Sequence, residues 1–204
     1  CSRDWSSDVC SSDLDRIKKF FRLVDEWIDY EYVVGSHNVE KGSDSQGFYD
    51  TNVWYDIADK YYIKNKLWAL TKKHTPEEIG NGITIYGEIY GYGIQKNYDY
   101  GLPANDIRFV GFDVVMNGKY CDIDETRFII VDHLDLPHVP ILYVGKWSQE
   151  IQDKFVINNF ITGTKIPHEG IVVKHVSGDR HKVSKCINPD YLIYAEKKDV
   201  GDSH

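Results

Sequence analysis

Apolar positions along this chain follow two periods, and the change from one to the other predicts its elements. Over residues 15–29, Ile17, Phe20, Phe21, Val24, Trp27 and Ile28 recur at three- to four-residue spacing, which predicts an amphipathic helix. Residues 30–34 read as a strand, and Gly35-Ser36-His37-Asn38 breaks it. Residues 40–50 are rich in Gly, Ser and Asp and read as a loop. A second helix is predicted over residues 53–70, with Trp54, Ile57, Ala58, Tyr61 and Leu67 on or near one face. Thr75-Pro76-Glu77-Glu78 has the form of a capping box with Pro in the first turn, so a short helix starts there.

Beyond these the pattern changes to that of strands. Residues 83–90, 107–116, 141–144, 170–176 and 182–187 are rich in β-branched and aromatic side chains. Asn117-Gly118 supplies a hairpin turn, and one helix interrupts the strands over residues 148–160, with Ser148 as its cap. Strands and helices do not alternate regularly. The expected class is therefore α+β, with antiparallel sheets and flanking helices rather than a doubly wound parallel sheet. No internal repeat or domain boundary is visible.

Composition changes the picture mainly at the start. Residues 4–14, Asp-Trp-Ser-Ser-Asp-Val-Cys-Ser-Ser-Asp-Leu, match one frame of a widely used sequencing-library adapter. Residues 1–14 are accordingly read as a non-native, adapter-derived segment and excluded from fold reasoning. Residues 15–204 are expected to form one domain. The excluded segment carries one Arg and three Asp, so the net charge of −8 becomes −6 for residues 15–204. It also removes two of the four cysteines. Cys121 and Cys186 are too few for a zinc cage or a disulfide scaffold, and are read as buried thiols. No apolar run reaches the roughly 18 residues of a membrane span. The start shows no signal-peptide pattern, so a cytoplasmic protein without membrane contact is expected.

An acidic chain is a poor general coat for nucleic acid. Its charge is uneven, however. Lys165, Lys174, Arg180, Lys182 and Lys185 face only Glu169 and Asp179 between residues 165 and 185, with His168, His175 and His181 among them. Such a stretch is either a solvated basic face or part of a cleft that binds polyphosphate and nucleic-acid ends.

Three segments stand out chemically. Tyr86-Gly87-Glu88-Ile89-Tyr90-Gly91 places a carboxylate in an apolar strand, with glycines that permit close approach of a ligand. By itself this is also an ordinary hairpin strand. The second is His168-Glu169-Gly170-Ile171-Val172-Val173-Lys174. Alternation puts Glu169 and Lys174 on opposite faces, so a twist or bulge is needed for both to serve one site. The third, Lys182-Val183-Ser184-Lys185, is expected on the paired strand.

In this order, and with Phe109-Val110-Gly111-Phe112-Asp113-Val114 between the first and second, the segments resemble the covalent nucleotidyltransferases. That superfamily comprises ATP-dependent DNA and RNA ligases and mRNA capping enzymes. The run from Tyr86 through Gly93-Ile94-Gln95 to Tyr100-Gly101 is most similar to the RNA ligase branch, and the resemblance covers about residues 30–195. It implies a nucleotidyltransferase (ATP-grasp-like) domain and a monomeric enzyme of RNA repair. Such an enzyme uses ATP with Mg²⁺ or Mn²⁺ to join RNA 5′-phosphate and 3′-hydroxyl ends, through lysyl-AMP and RNA-adenylate intermediates.

The resemblance also implies roles. Phe112 would stack on adenine, Glu88 would accept from the ribose hydroxyls, and Glu169 would help hold the metal. Lys174 and Lys185 would neutralise phosphate, with Lys182 beside them. His37 sits where many relatives place a phosphate-contacting arginine. Glu88, Phe112, Glu169, Lys174 and Lys185 are expected to line one cleft. Two departures are plain. Lys-x-Asp-Gly, the nucleophile motif, does not occur; the adapter reading places it upstream of Asp15, so the chain as written is expected to lack self-adenylylation. Val183 stands where many relatives have the first of two lysines, which leaves Lys185 as the firmer assignment. A DNA ligase, a capping guanylyltransferase and a non-catalytic nucleotide- or RNA-binding relative are the competing readings.

Overall fold

The computed structural model describes residues 20–21, 28–29, 31–36, 39–41, 52–95 and 98–201. Its elements in chain order are β1 (Phe20–Phe21), β2 (Ile28–Asp29), β3 (Val34–Ser36), β4 (Val39–Lys41), α1 (Val53–Lys60), α2 (Ile63–Thr71) and α3 (Pro76–Ile79). Then follow β5 (Ile83–Gly91), β6 (Ile107–Met116), β7 (Lys119–Tyr120), α4 (Ile123–Arg127), α5 (Gln149–Val156), β8 (Gly170–Lys174), β9 (Val183–Ile187) and α6 (Pro189–Gly201). A π-helical stretch, Phe128–His133, continues α4. The expected mixed class with antiparallel sheets is what the chain forms. β1 pairs with β2, β3 with β4, and β8 with β9, while β5, β6 and β7 make one sheet in that order.

Contacts divide the described residues into two compact units: those within 89–109 and 140–201, and those within 20–88 and 110–139. In the second unit, Val53, Ile57 and Ala58 of α1, Leu70, Ile79, Val114, Val115, Ile130 and Leu134 are all buried. Thr75 caps α3 as its motif predicts: Glu78 N–H donates to Thr75 Oγ1 at 3.3 Å and Thr75 N–H to Glu78 Oε2 at 2.8 Å. Asn117 and Gly118 take φ values of 50° and 75°, the left-handed pair that a two-residue turn requires, and deliver β7 against β6. At Gly111 a side chain is excluded for a packing reason. A Cβ there would lie 3.0 Å from Ile130 Cδ1, so the missing side chain lets the π-helical stretch close on β6.

Several expectations are corrected. The helix expected over residues 15–29 is not formed where residues are described: Phe20 and Phe21 pair antiparallel with Asp29 and Ile28. Phe and Ile favour strands as strongly as their spacing suggested a helix. The expected 53–70 helix is two helices, because Tyr62 adopts a left-handed φ of 54° and restarts the chain at α2. Gly35 and Ser36 do not break a strand but lie in β3, and Glu40 and Lys41 lie in β4. Residues 141–144 form no strand; Ile141, Leu142, Tyr143 and Val144 are exposed. Strand-like composition there met no pairing strand among the described residues. Two helices were not anticipated, α4 and α6. Asp122 forms a full capping box with Glu125 at the head of α4, a signal that was present in the sequence.

Candidate active site

The first unit carries a two-stranded hairpin whose register decides which side chains meet. Val172 lies opposite Lys185, and Lys174 opposite Val183. Opposed residues share a face, as do alternate residues of one strand. Lys174 and Lys185 therefore stand on the same face as diagonal neighbours.

Glu169 joins them by a break in that rule. It precedes β8, and Gly170 after it has φ of +151°, a conformation that side-chain-bearing residues rarely adopt. A Cβ on Gly170 would fall 2.1 Å from the Cys186 carbonyl oxygen, so only glycine permits this approach of the two strands. The turn at Gly170 supplies the device that strict alternation lacked. The Glu169 carboxylate meets the Lys185 ammonium through Oε1 in an ion pair.

Other groups fix Glu169. Tyr100 hydroxyl donates to its Oε2 at 3.3 Å. Its backbone carbonyl accepts from Asn188 N–H at 2.9 Å. Two residues earlier, the Pro167 carbonyl accepts from the buried Tyr98 hydroxyl at 2.7 Å. Burial pushes the Tyr98 phenol well above its ordinary pKa, and the nearby Glu169 charge adds to the effect. Asn188 is fully buried and satisfied: Nδ2 donates to the Asn159 carbonyl at 3.2 Å and Oδ1 accepts from Asp190 N–H at 3.0 Å.

Lys182 is not part of this group. It ends a short 3₁₀ turn, Arg180–Lys182, and its ammonium lies 3.4 Å from Asp179 Oδ2. The His181 backbone N–H, with Lys182, holds the Asp179 carboxyl below its usual range. Both acidic residues of the basic stretch thus pair with its lysines. His168 is held below its ordinary pKa by burial. Cys121 and Cys186 are half-buried free thiols rather than buried ones. Burial pushes both up, Cys121 to about 11, where the Glu125 and Asp122 charges assist.

Glu88 and Phe112 belong to the second unit. Glu88 is exposed on β5. Phe112 is half-buried on β6, on the strand face opposite to Gly111 and the buried Asp113. A partly accessible ring on a strand is suited to stacking on a base. His37 lies outside the described residues, as does Asn38 beside it.

Among the described residues, no three His, Cys, Asp or Glu side chains are grouped to hold a metal ion. Glu169 is a single carboxylate whose side chain is 25% exposed. That donor set does not suit a protein-built cage. It does suit a hard cation held by one carboxylate, waters and substrate phosphates. Among the described residues no helix is long and apolar enough to cross a membrane. Sequence reasoning did not single out Tyr98 or Asn188, nor give Tyr100 a role. Asn188-Pro189-Asp190 after a strand is a helix-start signal that could have marked Asn188.

The family model for RNA ligase matches residues 28–187. This chain belongs to the RNA ligase family. Its fold is similar to that of a Naegleria gruberi RNA ligase variant solved with AMP and Mn, at a TM-score of 0.60 and 20% identity over 86% of this chain and 47% of that one. An apo variant of the same ligase gives 0.59 and 22%, again over 86% and 47%. A variant with ATP and Mn gives 0.55 and 23%, over 71% and 41%. The chain thus spans less than half the length of these solved relatives. No curated protein matches it.

Proposed function

We propose that the protein is an ATP-dependent RNA ligase, a cytoplasmic monomer that seals RNA 5′-phosphate to 3′-hydroxyl ends with ATP and Mg²⁺ or Mn²⁺. The observation that carries this reading is the pairing of Glu169 with Lys185, on the hairpin face that also bears Lys174, inside the family match. The binding of AMP, ATP and Mn by the Naegleria gruberi ligase variants supports the choice of cofactors.

The chemistry is three in-line displacements at phosphorus. A lysine amine attacks the α-phosphorus of ATP, and pyrophosphate leaves. An RNA 5′-phosphate oxygen then attacks that phosphorus, and the lysine leaves. Last, the 3′-hydroxyl of the other end attacks the 5′-phosphorus, and AMP leaves. In each step the protein's task is positioning and charge neutralisation. Lys174 and Lys185 supply positive charge to the phosphates. Glu169 holds Lys185 in place and offers its remaining lone pairs to a divalent cation, whose contribution is to offset phosphate charge. Phe112 and Glu88 are assigned to the adenosine. Lys182, tied to Asp179, has a minor part, and His37 a phosphate contact.

The 204 residues contain no Lys-x-Asp-Gly sequence, so the chain as given is proposed to bind ATP without keeping AMP covalently. The test uses the complete gene product with labelled ATP, Mn²⁺ and 5′-phosphorylated RNA. Labelled protein, then adenylylated and joined RNA, is the expected sequence, with Lys185→Ala joining at least about a hundredfold slower. A gene product that binds RNA and nucleotide but joins nothing would instead be a binding relative.

A further inference from the structure

We propose that Tyr100 is a positioning residue for Glu169, orienting the carboxylate so that a nucleotide-bound divalent cation meets it correctly. The inference rests on the ligase reading and adds to it a residue with no assigned role. Three observations carry it.

The first is direct contact. Glu169 presents two oxygens, of which Oε1 pairs with Lys185 and Oε2 accepts from the Tyr100 hydroxyl. A carboxylate has about four lone-pair positions, so these two bonds fix its plane and leave acceptor capacity for a cation. Lys185 alone would leave the carboxylate free to turn about its last bond. The second is backbone conformation. Tyr100 has a φ of +58°, followed by Gly101 at +72°. A bulky residue is held in the left-handed region only at a conformational cost, and persists there only where its surroundings hold it. Here the cost places the ring between Tyr90 and Tyr98, edge-on to both, with centroids 5.2 and 4.5 Å away. The third is that the same loop fixes the main chain. Tyr98 bonds to the Pro167 carbonyl, so residues 98 and 100 together hold residues 167 and 169. An ordinary core tyrosine needs only one partner for its hydroxyl, and the site carboxylate is an unexpected choice for it.

The test separates the hydroxyl from the ring. Tyr100→Phe keeps the ring contacts and removes only the donor. ATP binding to the 204-residue chain is titrated at a series of Mn²⁺ concentrations. In the parent, Mn²⁺ is expected to strengthen ATP binding. In Tyr100→Phe the Mn²⁺ midpoint should rise about tenfold, since a hydrogen bond to a charged group is lost. ATP affinity without metal should change less than about twofold. Glu169→Gln should abolish the Mn²⁺ effect, and adding Tyr100→Phe to it should change nothing more, because residues acting through one another are not additive. A purely structural Tyr100 would lower thermal stability in both backgrounds and leave the Mn²⁺ midpoint unmoved, which overturns the proposal while the ligase reading stands. A parent chain that binds no ATP at any Mn²⁺ concentration overturns both.

Discussion

Gly170→Ala tests whether the turn before β8 is what brings Glu169 to Lys185. The new methyl would sit 2.1 Å from the Cys186 carbonyl oxygen and 3.0 Å from Ile187 Cα, both backbone atoms of the paired strand. Neither can swing aside as a side-chain end can. The φ of +151° adds conformational strain of roughly 1–3 kcal/mol for any L side chain. Forcing a methyl into packed atoms costs about another 1–3 kcal/mol. The sum, about 2–6 kcal/mol, is a large fraction of the roughly 5–15 kcal/mol that holds an ordinary domain together. At roughly 2–4 °C per kcal/mol for this size, Tm should fall by at least about 4 °C. Gly163→Ala is the matched control. Gly163 has φ of +76° but nothing within 4 Å of the added carbon, so only the left-handed cost of about 1–2 kcal/mol applies. Thermal unfolding followed by circular dichroism, alongside Mn²⁺-dependent ATP binding, reads both variants. Equal Tm losses in the two alanine variants, with ATP binding intact in Gly170→Ala, would refute the argument that this glycine shapes the site.

Other expectations follow from the same geometry. Asn188→Ala removes a fully buried, satisfied amide and the bond to Asp190 N–H at the head of α6, and should cost about 2–3 kcal/mol by chemical denaturation. Lys185→Ala should weaken ATP binding at least about tenfold because it strips Glu169 of its ion-pair partner, whereas the Lys182–Asp179 pair is a surface pair screened by solvent, so Lys182→Ala should change binding by less than about threefold. With Cys121 pushed from 9.0 to about 11, chiefly by burial, the folded protein favours the neutral thiol. Its contribution to stability is complete below about 9 and is lost as pH rises through about 11. Alkylation at pH 8 should accordingly be slow in the native protein and fast in denaturant, as read by mass spectrometry.

Local signals located most elements between residues 75 and 187. The Thr75 capping box, the Asn117-Gly118 turn and the Ser148 cap each act over three or four residues, and each is formed as read. Strand composition succeeded for β5, β6, β8 and β9 but failed at residues 141–144, where the same kind of residues have no pairing strand among the described residues. Pairing is a long-range property that composition does not encode. At the described residues 20, 21, 28 and 29, strand pairing stands where a helix was expected, for the complementary reason. Phe and Ile satisfy a helical stripe and a strand equally, and tertiary context chooses.

For the site, the residue types and their order were enough to indicate the RNA ligase family, because chemistry at phosphate demands lysines, a carboxylate and an aromatic ring whatever surrounds them. Which of them touch was not legible. Alternation argued that Glu169 and Lys174 serve opposite faces, and the single backbone angle at Gly170 reversed that for Glu169. Nor did spacing distinguish Lys185, paired with Glu169, from Lys182, paired with Asp179 three residues before it. Tyr100, distant in sequence from Glu169, joins it only because the folded chain puts a phenol within reach of a carboxylate. The sequence by itself determined the inventory of reactive groups and the short-range turns and caps, since those depend on neighbours along the chain. Contacts between groups far apart in sequence were decided by the tertiary structure, because a hydrogen bond or ion pair depends on distances of a few ångströms that only the packed backbone sets.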